Sequence, residues 1–200
     1  QAGGAPLVVD NPSGQDPTTW ELTLPGATSV PVQDLDLLFV IDATSSMVDE
    51  MSYVKAEVAG IVTETKSAFP DLNLRLALIV YRDEGDAYVT KKFDFTSSLD
   101  TFQANVGAQE AEGGGDTPEA IEQAMILVPQ LQWSSGNAAR MAILIADAPP
   151  HPENAQTLVD VNDDLRSQGI KLYPLAASGV DYEAEFLMRV GAQATLGRHM

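Results

Sequence analysis

Five consecutive apolar side chains, Leu37-Leu38-Phe39-Val40-Ile41, run without a break and end on Asp42. Successive side chains of a strand point to opposite faces, so an unbroken apolar run this short needs cover on both. A central strand of a parallel sheet, with helices on either side, provides that environment. Asp42 then stands at the carboxyl end of the strand, the edge where open α/β sheets hold their ligands. Thr44 and Ser46 follow at alternating positions. One carboxylate and two hydroxyls at that spacing can converge on a hard cation, which takes oxygen ligands.

The rest of the chain supplies the cover. Residues 47–69 turn helical, with Met51, Val54, Val58, Ile61 and Val62 on one stripe and Pro70 as the stop. Residues 74–81 form a second strand in which Leu76, Leu78 and Val80 alternate against Ala77 and Ile79. A third, 88–95, follows through Arg82-Asp83-Glu84-Gly85-Asp86 with no helix between, which suits an antiparallel edge strand. Ser97 and Asp100 predict a capping box for a helix over 99–109. Thr117 as N-cap and Pro118 at the first helical position predict a helix to about 130, with Ile121, Ala124, Met125 and Val128 inward. A fourth strand, 141–146, ends at Asp147. A helix over 154–167 turns Leu158, Val161 and Leu165 inward, and a fifth strand covers 170–176. Asp181 caps a last helix, 182–190, ended by Gly191. The alternation predicts an α/β fold: a three-layer α/β/α, Rossmann-like sandwich, its central sheet mostly parallel with one antiparallel edge strand.

Residues 1–33 differ from this pattern. They carry Pro6, Pro12, Pro17, Pro25 and Pro31, and their strand-like pieces are Val8-Val9 and residues 20–24, where Trp20, Leu22 and Leu24 alternate onto one face. They read as a linker or an edge hairpin, with the main domain over 34–200. The chain opens on Gln1 without a signal peptide, as a processed or excised segment does. Acids outnumber bases 29 to 11, a formal charge of -18. That excludes the basic footprint nucleic acid requires and argues against charge-driven binding to anionic membranes. No apolar run approaches the roughly 20 residues that span a bilayer. With no cysteine, thiolate metal sites and cysteine nucleophiles are excluded.

Two core strands end at Asp42 and Asp147, and the loop Gly113-Gly114-Gly115-Asp116-Thr117-Pro118-Glu119 presents Thr117. In a parallel sheet these three turns lie on one edge. Five oxygen-bearing side chains in this order, Asp42, Thr44, Ser46, Thr117 and Asp147, resemble the metal-ion-dependent adhesion site of von Willebrand factor type A domains; the likeness covers about 35–197. The resemblance implies that Thr44 and Ser46 coordinate a metal directly. It has Asp42 and Asp147 acting directly or through water, and Thr117 alternating between the two. Mg²⁺ is the expected ion, with Mn²⁺ or Ca²⁺ as alternatives, and the expected partner is a protein offering an Asp or Glu carboxylate. Asp49 and Glu50 resemble the adjacent calcium site of integrin β subunits. The favoured reading of the two is the plainer one, acids in a helix's first turn stabilised by the helix dipole. Asp116 and Glu119 would hydrogen-bond metal-bound water or simply solvate the loop. Two departures stand out. Thr44 occupies a position where many members have Ser, and the sixth core strand of the family would only begin at residues 197–200. Either truncation or compensation by residues 20–24 would account for the second departure.

Taken singly, each residue has a plainer reading: Ser46 and Asp49 as a capping box, Thr117 as an N-cap, Asp42 and Asp147 as turn formers. Together they favour a metal-dependent, adhesion-type binding module, extracellular or on a cell surface, rather than an enzyme. A scaffold or regulatory partner of an intracellular ATPase is the alternative. A phosphotransferase that uses a strand-end Asp wants a second Asp two residues on, where this chain has Thr44; Gly113-Gly114-Gly115 lacks the lysine of a phosphate loop.

Overall fold

A computed structural model of the chain describes residues 32–115 and 117–200. The hairpin expected within 1–33, including the pieces at Val8-Val9 and 20–24, lies outside the described residues, apart from 32 and 33, which are not in a strand.

β1 (Asp34–Asp42), β2 (Asn73–Tyr81), β3 (Thr90–Thr96), β4 (Ala138–Ala146) and β5 (Ile170–Ala176) form one sheet in the order β3-β2-β1-β4-β5. β1 is central, parallel to both neighbours, and β3 is the antiparallel edge strand. Leu37, Phe39 and Ile41 enter one core, beneath α1 (Val48–Ala68) and α2 (Leu99–Gly107). Leu38 and Val40 enter the other, beneath α3 (Ile121–Leu127), α4 (Ala155–Ser167) and α5 (Tyr182–Ala194). The apolar run is unbroken because neither face of β1 meets water. Among the described residues no helix is long and apolar enough to cross a membrane.

The amino-terminal edge of the sheet is tied by a buried carboxylate. Asp36 accepts the Arg75 guanidinium fork, Nε to Oδ1 at 2.8 Å and Nη2 to Oδ2 at 2.7 Å. The Ser134 amide and hydroxyl add bonds of 2.5 and 3.1 Å. Arg75 also lies over Phe95, which meets Trp133 edge to face.

Several local expectations are corrected. The cap of α2 is Ser98, whose hydroxyl accepts the Thr101 amide at 3.2 Å, one residue later than the Ser97 box. Ile61 stands 42% exposed, because it lies at the margin of the Met51-Val54-Val58-Val62 stripe, about 20° outside Val54 and about 100° from Val62. Thr117 does not cap α3: the Glu119 amide donates to Pro149 O at 3.0 Å, so 117–120 runs along the loop after β4 and helix starts only at Ile121. Gly191 does not end α5, which continues to Ala194. There a Cβ would lie 3.1 Å from Leu172 Cδ2, so this glycine permits close packing of helix on β5. No sixth strand is present among the described residues. The chain after α5 serves the outer edge of β5 instead: Thr195 Oγ1 accepts the Leu172 amide at 3.0 Å, and the Met200 amide donates to Pro174 O at 2.9 Å.

Candidate metal centre

Register levels the carboxyl ends of the strands. Asp42 is opposite Tyr81, Ile41 opposite Ile145, and Ala146 opposite Ala176. Asp42 therefore ends its strand level with Ala146, one residue short of Asp147.

Asp42 is fully buried. Its Oδ1 accepts the Thr44 amide at 2.9 Å and the Thr44 hydroxyl at 2.7 Å, and Thr44 Oγ1 lies 3.1 Å from Ser46 Oγ. Asp42 Oδ2 makes no well-formed hydrogen bond, its neighbour being the equally buried Tyr81 hydroxyl, and Asp147 Oδ1 has no partner. A threonine hydroxyl that gives its proton to a carboxylate keeps its lone pairs, so Thr44 remains able to ligate a cation. Above this pair opens a cleft of about 290 Å³, lined by Ser45, Ser46, Gly114, Gly115, Thr117, Glu119, Asp147, Ala148, Gly179 and Asp181. The structure thus joins Asp42, Thr44 and Ser46 by direct bonds, and sets Ser46, Thr117 and Asp147 around one opening.

The glycine loop is stitched down from two sides. Ser45 donates to Gly113 O from both its amide (3.1 Å) and its hydroxyl (2.8 Å), and Glu112 N–H bonds Ala43 O at 3.0 Å. From the β2–β3 connection, Asp86 Oδ2 accepts the amides of Gly114 (2.9 Å) and Asp83 (3.2 Å). Gly113 and Gly114 have φ of +80° and +56°. A Cβ on Gly113 would strike the Asp86 carboxyl, and one on Gly114 would strike Glu119 Oε1 and sit 2.8 Å from Thr44 Cβ. The glycine loop and the 42–46 turn therefore approach at backbone distance.

The cleft is over-supplied with negative charge. Burial, above all, pushes Asp42 up to about 6; the Thr44 bonds oppose this and the Asp147 charge adds to it. Glu119, buried and with Oε2 unpartnered, is pushed up to about 8 by burial and then by Asp42, Asp83, Asp86 and Asp147. Orphaned carboxylate oxygens crowded beside hydroxyls that keep lone pairs are a donor set that suits a hard divalent cation. Among the described residues no three acidic or histidine side chains converge as a metal-ligand group. A cation held here would draw on the hydroxyls of Thr44, Ser46 and Thr117 for part of its coordination.

Other expected participants lie elsewhere. Asp49 is exposed on the first turn of α1, and Glu50 accepts the Ser178 amide (3.1 Å) and hydroxyl. Both border an apolar groove with Tyr53, Val54, Ile145 and Leu175, away from the cleft lining. Asp116 is outside the described residues. His151 Nε2 stands 3.4 Å from Asp83 Oδ1 and does not line the cleft. Three contributors were missed from sequence. Asp181 caps α5 by accepting the Ala184 amide at 2.7 Å and also lines the cleft, and its place after β5 was the available signal. Ser45 and Asp86 carry no sequence signal, since their role is a bond to a loop distant in the chain.

Comparison with known proteins agrees with this architecture. The family profile described as von Willebrand factor type A domain matches residues 36–200. A Dictyostelium discoideum protein described as alpha-protein kinase vwkA is 30% identical over 139 residues, 69% of this chain; the chain spans 22% of that relative's length. The crystal structure of conserved hypothetical protein BatB from Bacteroides thetaiotaomicron superposes with a TM-score of 0.63 at 16% identity, covering 83% of this chain and 89% of that one. The pilus adhesin SpaC of Lactobacillus rhamnosus GG, in an open conformation, gives a TM-score of 0.62 at 13% identity over 85% of this chain and 27% of its own. At such identities the two structures speak for the fold alone.

Proposed function

From the premise that the chain belongs to the von Willebrand factor type A domain family, a family of protein-interaction modules, we propose that it binds a partner's carboxylate through a divalent cation held at Asp42, Thr44, Ser46, Thr117 and Asp147. Mg²⁺ is the expected ion, with Mn²⁺ or Ca²⁺ as substitutes. The observation that carries the reading is the buried Asp42, whose Oδ2 makes no well-formed hydrogen bond beneath a cleft edged by hydroxyls and by the unpartnered Asp147 Oδ1. Asp42 fixes Thr44, Thr44 reaches Ser46, and the stitched glycine loop brings Thr117 to the same opening. When bound, the cation would supply an exchangeable position that takes a further anionic oxygen.

The reading is of a binding function: the carboxylates and hydroxyls around the cleft are suited to holding a cation, and the bond from Thr44 to Asp42 serves to fix a ligand in place. Adhesion at a cell surface or outside the cell is the setting that best suits this chemistry, and the pilus adhesin carries its own function on the same fold.

The test is calorimetric titration of Mg²⁺ and Mn²⁺ into the wild type and an Asp42→Ala/Asp147→Ala variant, with circular dichroism as the folding control. A saturable site present in the first and absent in the second is expected. A folded wild type that takes up no metal at millimolar concentration overturns the reading.

A further inference from the structure

The outward face of α5 is not used by the fold. The helix buries Ala184, Met188, Gly191 and Ala192. Phe186 stands roughly 160° around the helix from Met188, and it is 54% exposed beside Tyr182 at 84%. Val190 continues this i, i+4, i+8 ridge and, with Val159 of α4, 46% exposed, lines a small apolar cavity. Two aromatic side chains turned away from both cores do nothing for folding, and aromatics are the side chains that dominate contact energy in interfaces.

The ridge begins at the cleft. Asp181, its N-cap, lines the cleft, and Tyr182 is the next residue. At 1.5 Å per residue, Phe186 and Val190 lie about 6 and 12 Å further along the helix. The borders are mostly acidic, with Glu183 and Glu185 on α5 and Asp160 and Asp163 on α4, and the base that α4 brings there, Arg166, is engaged by donating to Ala194 O. Arg189, the one base on α5, is taken by Glu185. The exposed apolar area is on the order of 400 Å², about half of the 800 Å² or so that each partner contributes to a stable interface. By itself the ridge is therefore too small to hold a second copy of the chain, and it needs the cleft to complete a footprint.

We propose that Tyr182, Phe186, Val190 and Val159 form a second contact strip for the protein whose carboxylate enters the cleft, and that this partner carries, within about 12 Å of the cleft end of the strip by the same helical rise, apolar side chains bordered by Lys or Arg. The proposal rests on the function given above. It assigns specificity to α5, while the metal site itself reads only an acid.

The probe is a library of random 16-residue peptides displayed on phage and selected on the wild type in Mg²⁺. Enriched peptides are then synthesised and measured by fluorescence polarisation against wild type, Tyr182→Ser/Phe186→Ser and Asp42→Ala. The expected peptides combine an acid with a downstream apolar and basic segment. Tyr182→Ser/Phe186→Ser should weaken them at least tenfold with Mg²⁺ affinity and circular dichroism unchanged, and Asp42→Ala should weaken them too. Binding lost in Asp42→Ala but unaffected by Tyr182→Ser/Phe186→Ser overturns the strip and leaves the metal reading standing. Binding that needs the strip but not Asp42 overturns the shared site. Failure to enrich any peptide overturns the proposal, as does wild-type self-association, seen by sedimentation, that Phe186→Ser abolishes.

Discussion

Replacing Gly114 by alanine is the sharpest test of how the loops are joined, because the neighbouring Gly115 provides its control. At Gly114 two penalties coincide. Its φ of +56° lies in the left-handed region, which costs an L-residue roughly 1–2 kcal/mol. The new methyl would also lie 2.8 Å from Thr44 Cβ and 2.9 Å from Thr44 Cγ2, and against Glu119 Oε1. Overpacking of that kind typically costs about 1–3 kcal/mol. Thr44 cannot retreat cheaply, since its amide and hydroxyl are both bonded to Asp42. Gly114→Ala should therefore lose about 2–5 kcal/mol of stability by the two terms together. It should lose metal affinity as well, because the displaced residue is a proposed ligand. Gly115 has no atom within 4 Å of its would-be Cβ and no positive φ. Gly115→Ala should be neutral or stabilise by up to about 1 kcal/mol through the unfolded chain. Urea denaturation gives the stabilities and calorimetric titration of Mn²⁺ gives the affinities. Equal damage from both substitutions, or a Gly114→Ala protein that folds and titrates like wild type, would refute the argument that the loops meet at backbone distance.

Three further outcomes follow from the charges. Asp42 and Glu119 hold protons more tightly folded, near 6 and 8, than at their ordinary 3.8 and 4.5. The stability these two groups contribute to the metal-free protein should therefore be fully present below pH 4 and be lost as pH rises toward 8, by about 3 kcal/mol for Asp42 alone; between pH 5 and 8 the fall in urea midpoint should flatten when Mg²⁺ is added, and a metal-free profile flat over that range would contradict the crowding. Asp42→Asn keeps an acceptor for Thr44 and removes a buried charge, so at pH 8 it should raise metal-free stability while abolishing metal uptake, both read by thermal melts with and without Mg²⁺. Arg75→Leu leaves the Asp36 carboxylate to Ser134 alone and should cost about 3 kcal/mol. It should leave metal affinity unchanged, because six strand residues, about 20 Å, separate Asp36 from Asp42; a changed titration curve would show coupling across the sheet.

Local pattern was enough wherever a segment's environment is written in its own side chains. The unbroken run before Asp42 specified a strand covered on both faces, and the missing helix between β2 and β3 specified the antiparallel edge. Asp42, Thr44 and Ser46 could be grouped from spacing alone because two residues of chain separate each from the next. Where the partner is remote, pattern misled or was silent. Thr117-Pro118 reads as a helix start, yet the Glu119 amide is claimed by Pro149, from the loop after another strand. Gly191 reads as a helix stop, yet it is the contact that lets α5 pack on Leu172. Asp49 and Glu50 follow the ligand turn directly, but α1 carries them away from the cleft, and Glu50 turns to Ser178. The sequence by itself determined the α/β layering, the strand-end positions of the acids and the hydroxyl spacing, because these depend on periodicity and chain direction. Only the tertiary structure decided that Ser45 and Asp86 bind the glycine loop, that Asp181 faces the cleft, and that Asp42 and Glu119 repel their own charges, because each depends on atoms brought together from segments distant in the chain.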